Sequence, residues 1–258
     1  MSIDLDLRDD GRATITIDRP AVRNALDAAH QDRLDRVLRQ LERMDAVRVV
    51  VVTGAGDRVF CAGADMKDPG PEGLDYLAAR RPAGFGGLSL RTTLLAPVVG
   101  RVNGHALGGG FEIVLGCDLA VAAEHATFGL PEALVGRVPL DGGVALITRA
   151  LGRKLAAEVL LAGRRLDAHE ARELGLVNAV VPSDQLDDAV DDLVARLLRG
   201  APLSQRAIKD MILQGDGLGA RGAHDLAPES LIRALGSLDG AEGVQAFREK
   251  RDPVWSGR

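Results

Sequence analysis

The sequence predicts an α/β fold with a helical tail. Three observations predict it. Strand-like apolar runs alternate with helical patterns through the first part of the chain, small-residue corners follow the strands, and helical spacing takes over from about residue 142. At 258 residues, 46% hydrophobic and 27% charged, the chain has ample material for a core.

The elements follow in order. "IDLDLRDDGRATITIDR" reads as two strands around a turn at Asp10-Gly11, with alternation on both sides. Residues 27–44 read as a helix with Asp27 as N-cap, because Leu34, Val37, Leu38, Leu41 and Met44 recur at helical spacing. "VRVVVVTGAG" is an apolar strand whose continuous valines imply burial on both faces. Residues 67–87, rich in Pro, Gly and charge, read as a mobile surface loop. "APVVGRVNG" is a further strand and "GGGFEIVLGC" a short helix. "DLAVAAEHATFGLPEA" reads as a strand pair leading to a turn. Beyond it "LVNAVVP" is a strand and 184–199 a long helix. "QGDGLGARGAHD" is a weakly ordered connection before the last helices, about 225–250. No repeat period is visible.

Composition narrows the function classes. A net charge of −5 gives no reason to expect a nucleic-acid partner. Cys61 and Cys117, the only cysteines, are too few for a disulfide framework and too far apart for a metal knuckle. They read as small core residues in a reducing compartment. The N-terminal stretch lacks the pattern of a signal peptide, and no apolar run approaches a membrane span. A cytoplasmic chain without a membrane partner or bound metal is the expectation. Gly54 and Gly56 invite a dinucleotide reading, but the third glycine of that fingerprint would fall on Val59, and no GxxxxGK loop occurs.

The chemistry concentrates at "NGHALGGGFE", residues 103–112. Gly108 to Gly110 stand where a helix begins, and a helix N-terminus exposes amides without intrahelical partners. Glycines there let a ligand approach the backbone, or else let the helix pack closely on a strand. "GDRVFCAGADM", residues 56–66, puts a second run of small residues after a strand. Two such strand-to-helix corners would supply the two converging donors that an oxyanion hole needs.

"FCAGADM" (60–66), "NGHALGGGFEIVLGCD" (103–118) and "FGLPEALVG" (128–136) together resemble the enoyl-CoA hydratase/isomerase superfamily, the crotonase fold. "RPAVRNALD" (19–27) and "AFREKRDPVW" (246–255) fit as well. Among its subfamilies, "GGGFE", "PEALVGRVP…GGV" and "EKRDPVW" are most similar to the carnitinyl-CoA dehydratases. The resemblance implies a spiral of β-β-α turns over residues 1–195 and a helical oligomerisation region over 196–258, forming a homotrimer or homohexamer. It implies an acyl-CoA substrate, with coenzyme A part of that substrate and no further cofactor.

The resemblance also assigns residues. The backbone N–H groups of Ala64 and Gly109 would hold the thioester oxygen as an enolate forms. Glu112 would orient and deprotonate a water, and Glu132 would deliver the Cα proton, in reversible hydration of a 2-enoyl-CoA. Ala62, Asp65, Met66, Arg23, Ala25, Phe247 and Lys250 match positions that contact coenzyme A or substrate in relatives, the last two often from a neighbouring subunit. Without the resemblance, Glu112 reads as a first-turn acid favoured by the helix dipole, Glu132 as a helix-start acid after Pro131, Asp65 as a helix cap or Asx-turn and Arg23 as a solvated surface charge. His105 reads as structural. The sequence departs from many hydratases at Leu140, Asp141 and Val144. Leu140 would reshape the acyl pocket. Asp141 either caps the next helix or points into the pocket, where it would recognise a cationic or hydroxylated acyl group. One Trp, one Tyr and five Phe make an aromatic cage for a quaternary ammonium unexpected. Rival readings are another crotonase reaction, such as isomerisation, thioester hydrolysis or decarboxylation, and a catalytically silent acyl-CoA-binding subunit.

Overall fold

The computed structural model describes residues 3–67, 70–71 and 73–258. It opens with the expected hairpin, β1 (Ile3–Leu7) and β2 (Arg12–Ile17), paired antiparallel around Gly11. Helix α1 (Ala28–Glu42) follows, and the Asp27 carboxylate accepts the His30 amide at 2.9 Å as its N-cap.

From there the chain repeats one move. A strand enters a large sheet, the next enters a small one, and a helix returns. β3 (Val49–Gly54) is followed by β4 (Val59–Cys61) and α2 (Gly73–Ala78). β5 (Val98–Val102) is followed by β6 (His105–Leu107) and α3 (Gly109–Gly116). β7 (Leu119–Ala123) is followed by β8 (Thr127–Gly129) and α4 (Gly143–Leu161). β9 (Leu166–Asp167) and β10 (Ala179–Val181), separated by α5 (Ala168–Glu173), close the two sheets. The large sheet runs β1-β2-β3-β5-β7-β10 and the small one β4-β6-β8-β9. This is the β-β-α spiral that the resemblance implies.

The small sheet stacks strands that come directly after strands of the large one, so each turn has a corner between β3 and β4, β5 and β6, or β7 and β8. β7 and β8, read from sequence as a strand pair, therefore do not pair with each other. They sit in different sheets, because the chain turns out of one layer into the other between Ala123 and Thr127. The valines of β3 are buried on both faces. Val50 and Val52 join the main core, while Val49 and Val51 pack with Leu186, Val190 and Val194 of α6 (Leu186–Leu198) on the other face of the sheet.

α6 runs to Leu198, and a turn at Gly200, whose amide donates to the Leu197 carbonyl at 3.0 Å, follows it. Beyond it lie α7 (Pro202–Gly215), α8 (Ala220–His224), α9 (Glu229–Leu235) and α10 (Leu238–Glu249). The segment read as weakly ordered thus contains a helix, α8. This tail has a small core of its own, built on Leu203, Ala207 and Ala234, and leaves Ile212, Leu235 and Phe247 exposed. Among the described residues no helix is long and apolar enough to cross a membrane.

Candidate active site

The three successive glycines at the start of α3 serve three different contacts. Gly108 is the N-cap at φ 54°, a left-handed conformation, and a Cβ there would stand 2.9 Å from Glu132 Oε1. At Gly109 a Cβ would stand 2.5 Å from the Phe85 ring. At Gly110 it would collide with the Cys61 carbonyl of β4. The glycines therefore bring α3 down onto β4 and, in the same step, leave the Gly109 amide bare at the first helical position.

A second bare amide comes from the other corner. Leu26 donates to the Gly63 carbonyl at 2.8 Å and accepts from the Asp65 amide at 3.0 Å. In a parallel bridge of this kind the residue between, Ala64, turns its own N–H away from Leu26. Neither the Ala64 nor the Gly109 amide has a hydrogen-bond partner among the described residues. Gly63, at φ 90°, brings the corners together: a Cβ on it would stand 3.0 Å from the Gly109 nitrogen. The Ala64 corner is an extended bridge rather than the strand-to-helix turn expected from sequence, since α2 begins only at Gly73. Arg19 fastens it. Its guanidinium reaches Asp27 at 3.2 Å, Asp65 at 3.3 Å and the Ala25 carbonyl.

Ala64 and Gly109 both line a cavity of about 580 Å³, and so do Glu112 and Glu132. Glu112, on the first turn of α3, is 3% exposed, and its Oε1 accepts the Gly143 amide at 2.7 Å. Burial, then the nearby Asp141 and Glu132 carboxyls, push it up to about 8, against the stabilising Gly143 bond. Glu132 begins a short 3₁₀ turn (Glu132–Val135), and burial raises it too. Its Oε2 is buried without a hydrogen-bond partner among the described residues. Burial thus raises both carboxyls, and the Glu132 charge adds to the rise at Glu112.

Of the other sequence-derived candidates, Ala62, Met66 and Leu140 line the same cavity. Arg23 lines an adjoining cleft of about 590 Å³ that shares Ala62, and its carbonyl accepts the Ala62 amide at 3.1 Å. Asp65 and Ala25 line neither. Both are buried in the Arg19 clamp, and Asp65 also takes the Lys67 amide at 3.1 Å, the Asx-turn reading. The single chain does not bring Phe247 or Lys250 to the cavity: Phe247 is 85% exposed on α10, and Lys250 is that helix's left-handed C-cap. Asp141 does not cap α4, whose N-cap is Gly142 without a side-chain bond. It faces the cavity, where the Tyr76 hydroxyl donates to it. His105 is structural as expected: its Nδ1 meets Thr127 Oγ1 at 2.9 Å, and burial lowers its pKa.

Residues 73–78 and 85–87 of the segment read as a mobile loop are built into regular structure. They form α2 and a 3₁₀ turn (Phe85–Gly87), and from them Tyr76 and Phe85 reach the cavity. Asp68, Pro69 and Glu72 lie outside the described residues. Sequence reasoning also passed over Arg58 and Arg165, which join Arg23 in the adjoining cleft. Among the described residues none of these three guanidiniums has an ion-pair partner. The only signal that could have found them is the arginine-rich composition.

Known proteins match this arrangement over the whole chain. The model of the enoyl-CoA hydratase/isomerase family matches residues 8–258. A carnitinyl-CoA dehydratase of Citrobacter koseri is 40% identical over 248 residues, covering 95% of this chain and 94% of its own. One of Proteus mirabilis is 37% identical over the same shares. The crystal structure of an enoyl-CoA hydratase from Bacillus anthracis superposes with a TM-score of 0.91 at 31% identity, covering 100% of both chains. One from Mycobacterium tuberculosis gives 0.88 at 32%, covering 100% of this chain and 99% of that one.

Proposed function

Because the chain belongs to the enoyl-CoA hydratase/isomerase family, we propose that it catalyses the reversible hydration of a 2-enoyl-CoA to a 3-hydroxyacyl-CoA. The observation that carries this reading is the single cavity shared by two amides without partners among the described residues and two carboxyls raised by burial.

In the hydration direction the thioester oxygen lies between the Ala64 and Gly109 amides. Glu112, as carboxylate, takes a proton from a water that adds to Cβ. The electron pair of the double bond moves onto the thioester as an enolate, which the two amides stabilise. Glu132 then gives its proton to Cα. One proton enters at Glu112 and one leaves from Glu132, and the proton on Glu112 returns to Glu132 through solvent in the cavity before the next turnover. Removing one oxyanion donor of this kind typically costs about 2.7–4 kcal/mol of barrier.

Around that centre, Ala62 and Met66 form the wall beside the thioester and Leu140 limits the acyl space. The cleft of Arg23, Arg58 and Arg165 receives the phosphates of coenzyme A, for which forked guanidinium donors are suited. Coenzyme A is thus part of the substrate, and the chemistry above calls for no other cofactor. Exposed Ile212, Leu235 and Phe247 support assembly of the helical tail with further copies, in a trimer or hexamer, where Phe247 and Lys250 would meet a neighbouring site.

The decisive experiment adds the protein to crotonyl-CoA and follows the conjugated enoyl-thioester absorbance. Hydration removes it, and E112Q and E132Q each abolish the loss while still binding coenzyme A thioesters. Persistence of the absorbance with several chain lengths would end the reading, and release of free thiol would point to hydrolysis instead.

A second reading runs the reaction backwards, as dehydration of a 3-hydroxyacyl-CoA of the kind named for the curated relatives. It draws support from Glu112, whose raised value of about 8 suits a group that takes a proton from water in one direction and returns it to a leaving hydroxyl in the other.

A further inference from the structure

Resting on the hydratase reading above, we propose that Ser89 is a positioning residue of the reacting centre. Its buried hydroxyl ties the loop that cradles Glu112 to the turn that seats Phe85 against Gly109.

Ser89 is 3% exposed and lines neither the cavity nor the arginine cleft, so it acts only through its neighbours. Its Oγ accepts the Phe85 amide at 2.7 Å and donates to the Asp141 carbonyl. Among the described residues neither backbone group has another hydrogen-bond partner. A serine hydroxyl has one proton to give and lone pairs to receive with, so the two bonds together fix its direction.

Gly84 makes room for the link. It is left-handed at φ 70°, and a Cβ on it would stand 2.1 Å from Ser89 Oγ and 2.8 Å from the Asp141 carbonyl oxygen. A Cβ on Gly116, at the end of α3, would stand 2.5 Å from Ser89 Cα. Ser89 therefore sits where three elements meet: the Phe85–Gly87 turn, the 139–143 loop, and α3, whose first turn carries Gly109 and Glu112.

The Asp141 carbonyl matters because of the amides on either side of it along the chain. The Gly143 amide donates to Glu112 Oε1 at 2.7 Å, and the Asp141 amide acts on the same carboxyl. Without the hydroxyl, the Phe85 amide and the Asp141 carbonyl would be buried with no partner, a costly state that the loop and the turn leave only by moving. Such a movement draws both amides away from Glu112 and unseats the Phe85 ring from Gly109.

The charges that face Glu112 are not part of this link. They are the Asp141 and Glu132 carboxyls and, from α2, the Tyr76 phenol, with Arg137 on the same cavity wall. Arg81 and Arg80 act on the Asp141 carboxyl, which Tyr76 holds by its side chain. Losing the Ser89 hydroxyl removes none of these groups. It loosens the Gly143 bond, which lowers Glu112 by more than the Asp141 charge raises it, so Glu112 moves further up from its value near 8.

The test titrates the Glu112 carboxyl in the resting enzyme by carbon-13 NMR, with the label at glutamate Cδ and E112Q giving the assignment. In S89A the midpoint rises by roughly 0.5–1 pH unit above that of the wild type. With crotonyl-CoA, kcat at neutral pH falls about tenfold while KM stays within about twofold. S89T, which keeps the hydroxyl, restores both readings, whereas S89C, close in size but a weak donor, does not. If S89A does not fold, S89C carries the same comparison. An unchanged Glu112 midpoint in S89A and S89C overturns the proposal, as does an S89T protein that shifts as far as S89A. The titration needs no turnover, so a protein that leaves crotonyl-CoA untouched loses the hydratase reading while the midpoint still decides this one.

Discussion

The Gly143 amide donates to Glu112 Oε1 at 2.7 Å, and a Cβ on residue 143 would stand 2.8 Å from that same oxygen. The hydrogen bond and the absence of a side chain are one design: the loop before α4 can approach the carboxyl only because nothing projects from Gly143. In G143A the carboxyl must shift by several tenths of an ångström or the loop must withdraw. We expect kcat for crotonyl-CoA to fall roughly 10- to 100-fold, since small misplacements of a reacting group are costly. Affinity for coenzyme A, proposed to bind through the adjoining arginine cleft, should change little. A G143A enzyme with native kcat would remove Glu112 from the reacting centre.

The raised carboxyls make a prediction about stability as well as rate. Glu112 titrates near 8 in the folded chain and near its ordinary 4.5 when unfolded. Between those values the folded state binds more protons, so unfolding free energy falls as pH rises through this window. E112Q removes the cost of ionising a buried group. Its thermal midpoint should exceed that of the wild type at pH 8 and approach it at pH 5. Each 1 kcal/mol is worth roughly 2–4 °C in a chain of this size. Differential scanning calorimetry at the two pH values checks the sign, and an E112Q midpoint below the wild type's at pH 8 contradicts it. Hydration needs Glu112 as the carboxylate, so wild-type turnover of crotonyl-CoA should rise as pH approaches about 8.

Much of this architecture is legible in the sequence, for physical reasons that also mark where legibility stops. The α1 helix is readable because its apolar stripe and Asp27 cap are both local, and β3 because its valine run has no polar interruption. Glu112 and Glu132 are visible as residues, but nothing local says that they share a cavity. That comes from the close approach of Gly108 to Glu132, a contact between successive turns of the spiral. Tyr76 and Phe85 stayed hidden because α2 is too short to show a period and the following turn is built on glycines with positive φ. The placement of β7 and β8 in separate sheets has no local signature at all. Asp141 could be read two ways from sequence, and only its Tyr76 bond decides between them.

Gly109 and Gly110 are adjacent, yet their substitution should fail in different ways. A Cβ at Gly110 meets the Cys61 carbonyl, a backbone atom that cannot turn aside. G110A should therefore lose soluble folded protein. At Gly109 the obstacle is the Phe85 ring, a side chain, although one buried to 3% exposure. G109A should fold, displace the ring or the first turn of α3, and lose roughly 10²–10³ in kcat through the misaimed amide. Shortening the obstacle in G109A/F85L should recover part of that loss. Circular dichroism and crotonyl-CoA kinetics on the three variants separate the cases, and a fully active G109A would show that its amide is not an oxyanion donor.

The cleft beside the cavity yields a prediction that isolates the nucleotide from the chemistry. Arg58 and Arg165 are exposed, lack ion-pair partners among the described residues, and line a cleft joined to the cavity through Ala62. Neither touches the cavity that holds the carboxyls. If they meet the phosphates of coenzyme A, an R58A/R165A protein should raise KM for crotonyl-CoA roughly three- to tenfold, the modest effect expected for solvated charge pairs. kcat should stay within about twofold, because the lost contacts are equally strong in ground and transition states. Raising salt should weaken the wild type more than the variant, since screening acts on the charges that were removed. The N-acetylcysteamine thioester of crotonate carries the same reacting group without the nucleotide. With it the two proteins should share one kcat/KM, and an equal loss on both thioesters would mean that these arginines act on the fold or the chemistry rather than on phosphate.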